Sequence, residues 1–335
     1  LGAQKQTKND SHKWELKNSF LNFDVLISKF VTSKFDAAIM NRKDFLKSLA
    51  LLPLAACNMK VQDFPKITEP LPNTEKMPVL FVGHGSPMNA LEDNAFTRSL
   101  KKLGEQFKQE GKKPAAILVV SAHWLTRGSH VNIAPKPETI HDFGGFPQAL
   151  FDAQYPAPGS PELAKETAKL SALIHETDDW GLDHGAWTIL LHLFPEADVP
   201  VFQLSIDYYQ PLQYHLDLAK QLTALREKGV LIIGSGNIVH NLRLSMERLR
   251  TGDTRPYDWA VEFDTWAKEK IASRDFQTLV TYEKAGEAGK LSVPTTDHYI
   301  PMLYSLGLAG EKEEIVQAYE EVTLGGISMR TFQVG

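Results

Sequence analysis

Four short segments of this chain are apolar along almost their whole length rather than at every second position: 78–83 (PVLFVG), 115–120 (AAILVV), 200–206 (PVFQLSI) and 229–233 (GVLII). A strand with one wet face alternates apolar and polar residues, so runs of this kind need cover on both faces, as in a mainly parallel sheet between layers of helices. Helix-like segments separate them at 92–110, 161–175, 211–228 and 255–273, and Ser160-Pro161-Glu162 offers the second a cap and a first-turn proline. The spacing predicts an α/β fold, a single domain with a central mainly parallel β-sheet flanked by helices. No internal repeat or linker divides the region from Met77 onward.

In open α/β sheets, ligands bind outside the carboxyl ends of the strands. Histidines gather there. His84 follows 78–83 directly, in Gly83-His84-Gly85-Ser86-Pro87, where flanking glycines permit a tight turn with the backbone close to a ligand. His123 lies three residues beyond 115–120, in Ser121-Ala122-His123-Trp124, and the glycine-containing loop GSGNIVH carries His240 away from 229–233. Taken singly, each reads as a core histidine with its nitrogens satisfied. Together they predict a metal centre at the strand C-terminal edge, because imidazole is the commonest protein metal ligand and titrates near neutral pH.

Asp297-His298-Tyr299 offers a further ligand, as carboxylate or imidazole. His240, at the start of what reads as a helix, is either a fourth ligand or a free base beside the metal. His184, between Asp183 and Gly185, reads as an acid/base or substrate contact, with a structural role as the alternative. His141 and Asp142, next to Gly144-Gly145, read as a solvent loop rather than the mouth of a pocket. His12, His130, His175, His192 and His215 have no supporting context. GSGN at 234–237 lacks both the Lys-Ser/Thr of a phosphate loop and GxGxxG spacing, and no GxSxG supports a serine hydrolase.

Composition narrows the classes further. A chain of 335 residues, 43% hydrophobic and 23% charged, can bury a large core. A net charge of -5 offers no basic face for nucleic acid, and no run approaches the roughly 18 apolar residues of a membrane span. The single cysteine, Cys57, excludes an intrachain disulfide and a CxxC zinc site, leaving His, Asp or Glu to hold any metal.

The N-terminal part has a different character. Residues 1–39 read as an over-extended, non-native segment. Residues 40–57 (MNRKDFLKSLALLPLAAC) follow the order of a secretory signal, with Arg42, Lys43 and Lys47 flanking a short apolar stretch. Cys57 after Leu-Ala-Ala resembles a bacterial lipobox, and RKDFLK is weakly similar to a twin-arginine signal with Lys43 in place of the second arginine. This predicts an exported, membrane-anchored periplasmic lipoprotein with a lipid on Cys57; the alternative is a buried helix and a cytoplasmic protein. Residues 58–76 are polar and proline-containing, as suits a linker.

Seven ordered segments of the catalytic region, 77–335, together resemble the class III extradiol ring-cleavage dioxygenases of the LigB type, and among them the 4,5-DOPA dioxygenase group. They are GHGSPMNALEDN, VVSAHW, TIHDFGGFPQALFDAQYPAPGSP with Phe151 where the pattern has Tyr, WGLDHGAW, QLSID, GSGNIVHNLR and HYIPMLY. The resemblance implies that His84, His123 and His298 bind one divalent metal, with His240 at the same centre as base or additional ligand. It also favours His298 over Asp297, where protocatechuate-cleaving relatives use a glutamate, and leaves Fe(II) and Zn(II) both open. The implied activity uses O2 to open the aromatic ring of a catechol, with His240 taking a catechol proton and His184 acting as an acid or positioning oxygen. Two rival readings are a zinc hydrolase with His240 as acid/base and a Memo-like binding protein without catalysis. Oligomeric state has no signature in the sequence.

Overall fold

The computed structural model describes residues 74–335. The expected segment 1–39, the signal pattern 40–57 with Cys57, and all but the end of the linker 58–76 lie outside the described residues, as does His12. Among the described residues no helix is long and apolar enough to cross a membrane.

The strands are β1 (Val79–Gly83), β2 (Ala116–Thr126), β3 (Ser129–Asn132), β4 (Ile174–Thr177), β5 (Val201–Asp207), β6 (Val230–Gly236), β7 (Ile315–Tyr319), β8 (Val322–Thr323), β9 (Ile327–Ser328) and β10 (Thr331–Val334). Eight of them form one sheet in the order β4-β3-β5-β2-β6-β1-β10-β7, and β8 and β9 pair separately. The four apolar runs are its centre: β5, β2, β6 and β1 are mutually parallel. Antiparallel pairs join β3 to β5 and carry β10 and β7 on the other edge. The fold is thus the single-domain α/β arrangement that the apolar runs predict.

Both faces are covered, and alternate residues of each central strand feed opposite cores. Val79, Phe81, Leu118, Val120 and Ile232 pack on one side. Their neighbours Leu80, Val82, Ile117, Val119, Leu231 and Ile233 pack on the other. Helices of eight residues or more are α1 (Ala95–Gln109), α2 (Pro161–Leu170), α3 (His184–Leu193), α4 (Leu212–Gln221), α5 (Leu242–Arg250), α6 (Asp258–Ala272) and α7 (Ile300–Gly307). Phe96, Leu100, Leu103 and Phe107 of α1 share a core with Ala186, Trp187 and Leu190 of α3. Residues of α4, α6 and α7 fill the opposite one. At about 25 cal/mol per Å² of apolar area, each fully buried leucine or phenylalanine contributes about 1.5–3 kcal/mol.

Several boundaries differ from expectation for identifiable reasons. The helix-like segment 161–175 ends at Leu170, and Ile174–Thr177 instead pairs with β3 as a parallel edge strand. Ser160 occupies the cap position of α2 but makes no side-chain cap bond; Pro161 starts the helix. The segment 211–228 is α4 followed by a 3-10 turn, Thr223–Lys228. Two corrections bear on function. Strand β2 continues through Ser121 and His123 to Thr126, with an irregularity between Val120 and Leu125. The glycines of GSGN are not a loop either, since β6 runs to Gly236.

A buried ion pair closes the base of the sheet. Arg226, 1% exposed, donates to the carbonyls of Met77 and Leu308 and makes a two-pronged contact with Glu313 at 2.7 and 2.8 Å. On the β10 edge the buried Arg330 is held by Asp264 in a similar two-pronged contact.

Candidate metal centre

His84 leaves the end of β1 with its backbone N–H on the Gly236 carbonyl, 3.1 Å away, which ties it to the end of β6. The next residue, Gly85, has φ of 63°, a left-handed conformation that a side chain disfavours, and the chain turns there. The ring of His84 is buried, and its Nδ1 lies 3.0 Å from Ser235 Oγ. Ser235 has one hydroxyl proton and gives it to the Gly185 carbonyl at 2.5 Å, so its oxygen must accept the proton of His84 Nδ1. The lone pair of His84 is therefore on Nε2.

His123 sits within the irregular stretch of β2, where the register with β5 shifts and re-aims side chains. Its Nε2 is 3.1 Å from His84 Nε2, and its Nδ1 is 3.4 Å from Asp142 Oδ2. His298 comes from the segment before α7. That segment crosses β6 at Gly236, where a Cβ would come within 2.2 Å of the His298 carbonyl, so only glycine lets the two backbones approach. His298 Nδ1 pairs with its own neighbour, the Asp297 carboxylate, at 2.5 Å. A carboxylate only accepts, which leaves His298 Nε2 with the lone pair.

One nitrogen each from His84, His123 and His298 lie within 4.8 Å of one another. Two imidazole nitrogens sharing an ion at about 2.1 Å stand about 3–3.4 Å apart, which matches the His84–His123 separation. Converging lone pairs repel unless a cation sits between them. The donor set therefore fits a divalent metal ion, and it is made of imidazole alone.

Electrostatics agree. Burial first, then the neighbouring histidines His123 and His298, hold His84 far below the ordinary imidazole pKa. Burial and His184 do the same to His123. Both rings are neutral, as ligation requires. Burial also pushes Asp297 up, but its contact with His298 outweighs this and holds the carboxyl well below its usual range.

His240 lies outside that three-nitrogen group. Its residue bridges to Ile327 ahead of α5, which begins only at Leu242 after the Asn241 cap. The His240 ring stacks face to face on His298, centroids 3.5 Å apart and 6° from parallel. Burial, reinforced by His298, lowers its pKa to about 3. His240 and Asp297 border a cavity of 420 Å³ whose rim carries Arg243 and Lys290. A second cavity of 420 Å³, between α1 and the end of α3, touches none of the five candidate site residues.

His184 opens α3 and is buried, its ring 3.8 Å from that of His123 and 5.7 Å from that of His84, centroid to centroid. Asp183 does not pair with it. That carboxylate caps α3 through Ala186 N–H and accepts from Ser121, Gln203 and Trp180. Burial, then the nearby Asp142, raises the Asp183 pKa. The partner of His184 is Asp142, whose Oδ1 accepts from the His184 backbone N–H at 2.9 Å and lies 3.0 Å from its Nδ1.

The solvent-loop reading of residues 141–142 thus holds for the backbone and fails for one side chain. Asp142 is exposed as a residue, yet its side chain is only 18% exposed and turns inward. Burial pushes its pKa up, and the contacts with the His184 side chain and backbone override that and lower it. His141 stays out of the centre, with Nε2 on the Ala153 carbonyl at 2.9 Å and its ring against Phe143, Phe151 and Trp187. Ser235, Ser121 and Gln203 have no role in the sequence reading, which names Asp142 only as part of a solvent loop and Asp183 only as the neighbour of His184.

Comparison with known proteins places the chain. Residues 78–330 match the family model described as the catalytic LigB subunit of aromatic ring-opening dioxygenase. The chain is 46% identical over 277 residues to a 4,5-DOPA dioxygenase extradiol of Escherichia coli K12, covering 81% of this chain and 99% of that protein. A Beta vulgaris 4,5-DOPA dioxygenase extradiol is 37% identical over 246 residues, 70% of this chain and 87% of its own length. Among solved structures, that of the uncharacterized protein JW3007 from Escherichia coli K12 superimposes with a TM-score of 0.66 at 41% identity, over 78% of this chain and 100% of that one. With its three-imidazole centre at the carboxyl edge of a parallel sheet, the chain belongs to the LigB family of aromatic ring-opening dioxygenases and is an oxidoreductase of the extradiol class.

Proposed function

We propose that this enzyme opens the ring of a catechol of the DOPA type with O2, at a single divalent ion held by His84, His123 and His298. The observation that carries the reading is the convergence of one imidazole nitrogen each from His84, His123 and His298 within 4.8 Å of one another, each able to present a lone pair. When bound, an ion on three protein ligands supplies open positions for the adjacent ring oxygens and O2, and iron, unlike d10 zinc, supplies the electron transfer.

His240 is the base. Its imidazole stacks on His298 at the edge of the centre, where one ring nitrogen can take the proton of one catechol hydroxyl. The bordering cavity of 420 Å³ is lined by His240 and Asp297 and by none of the three ligand histidines. His184 is the second proton-handling group: Asp142 Oδ1 stands 3.0 Å from its Nδ1, which leaves Nε2 as the nitrogen that can exchange a proton. The Phe143 ring stands edge-on to it, 5.7 Å away between centroids.

Anaerobic reconstitution with Fe(II), then admission of air with L-DOPA and simple catechols, tests the reading through oxygen consumption and the colour of a ring-opened semialdehyde. Stoichiometric oxygen uptake with one catechol supports it. An iron-loaded protein that consumes no oxygen with any catechol, while its zinc form hydrolyses esters, would make a hydrolase of it instead.

A further inference from the structure

We propose that Asp142 is a positioning residue that holds His123 and His184 together by their Nδ1 atoms, so that the lone pairs of both rings fall on Nε2. The inference deepens the metal-centre reading and rests on His123 being a ligand. Each of the other two ligand rings has an acceptor of its own on Nδ1, Ser235 for His84 and Asp297 for His298. For His123 the corresponding group is Asp142, Oδ2 at 3.4 Å.

The same carboxylate faces His184. His184 Nδ1 is buried and makes no aligned hydrogen bond, yet Asp142 Oδ1 is 3.0 Å away. That oxygen also receives the His184 backbone N–H at 2.9 Å. No other carboxylate competes. Asp183, the sequence neighbour, has its oxygens engaged by Ser121, Gln203, Trp180 and Ala186 N–H.

The physical argument is one of proton counting. A neutral imidazole carries one N–H, and a carboxylate accepts it, so a ring whose Nδ1 faces Asp142 is favoured with its proton on that nitrogen. Two rings whose centroids are 3.8 Å apart are thereby set in one tautomer by one side chain. That side chain reaches in from a loop that is largely open to solvent, and Asp142 and Phe143 of this loop both contact His184 at the start of α3.

The test is the tautomeric state of the two rings, read from long-range 1H–15N correlations of the imidazoles in metal-free and zinc-loaded protein, together with zinc affinity by chelator competition. Wild type is expected to show Nδ1–H at both His123 and His184. In Asp142→Asn the amide offers one accepting oxygen and one donating NH2, so one of the two rings is expected to move its proton to Nε2. Asp142→Ala should release both rings and weaken zinc about 10- to 100-fold, with Asp142→Asn between it and wild type.

Nε2–H at either ring in wild type, or unchanged tautomers and zinc affinity in both variants, overturns the proposal. If Asp142→Ala does not fold, Asp142→Asn decides by its tautomers alone. Wild type that binds no zinc sinks the metal reading, and the metal-free spectra still decide the role of Asp142. Wild type that binds zinc while both variants match it sinks only Asp142.

Discussion

The proton on His84 has one place to sit, because Ser235 spends its own on the Gly185 carbonyl and can only accept from Nδ1. Constraints of this kind separate ligands from their neighbours. Replacing His84, His123 or His298 by alanine removes a donor from the three-nitrogen group, and each variant is expected to lose more than the ~10- to 100-fold in metal affinity typical of an outer partner. His240→Gln should behave differently. Stacked on His298 but outside the group, it is expected to leave metal affinity near wild type and to lower kcat ~100- to 10000-fold, the range of a general base. Chelator competition and oxygen uptake on the same samples check both, and a His240→Gln protein that loses metal as His298→Ala does would make His240 a ligand.

Among the secondary-structure elements, the decisive features are two strands that run further than their apolar cores. Polar Ser121 and His123 end the apolar run of β2 on paper, and the glycines of β6 read as a loop. Tertiary contact overrides both. Ser121 is satisfied by the buried Asp183 at 2.6 Å, and Gly236 pairs with Gly83 of β1 while the His298 backbone lies across it. Gly236→Ala would therefore press a methyl group onto the His298 carbonyl. The expected cost is about 1–3 kcal/mol of stability, with a weakened zinc-induced rise in Tm because His298 moves with its backbone. Thermal unfolding with and without zinc measures both, and an unchanged zinc shift would show that the crossing does not position His298. The short strands β3 and β4 were illegible for a plainer reason: four residues each, without alternation, give too little pattern to read.

For the molecule as a whole, Arg226 and its partner Glu313 tie the 3-10 turn before β6 to the residues just before β1 and just after α7. Burial works to raise the Glu313 pKa, but hydrogen bonds from Arg226, Lys76 and Gly310 N–H dominate and lower it from 4.5 to about 2. A depressed carboxylate pKa adds stability that is present above its unfolded value and lost as pH falls through the folded one. Wild-type stability is thus expected to drop between pH 4.5 and 2, and Glu313→Gln to lose the Glu313 share of that slope. At pH 7 the variant should be destabilised by up to about 3 kcal/mol, since it leaves a buried guanidinium without its counter-charge. Urea titrations across that pH range check this, and parallel pH profiles would exclude it. At the other end of the chain, we propose lipid attachment at Cys57, which predicts incorporation of labelled palmitate that Cys57→Ser abolishes.

The layer architecture and the identity of the histidines were determined by the sequence alone. Uninterrupted apolar runs must be covered on both faces, and parallel strands of that kind deliver the residues after them to one rim. Only the tertiary structure decided which of those histidines share an ion-sized space, that Asp142 turns inward to meet two of them, and that Asp183 turns away from His184. The physical reason is range. Burial patterning is a local property with a fixed period, whereas a tautomer is set by a partner such as Ser235, 151 residues away in sequence and 3.0 Å away in space.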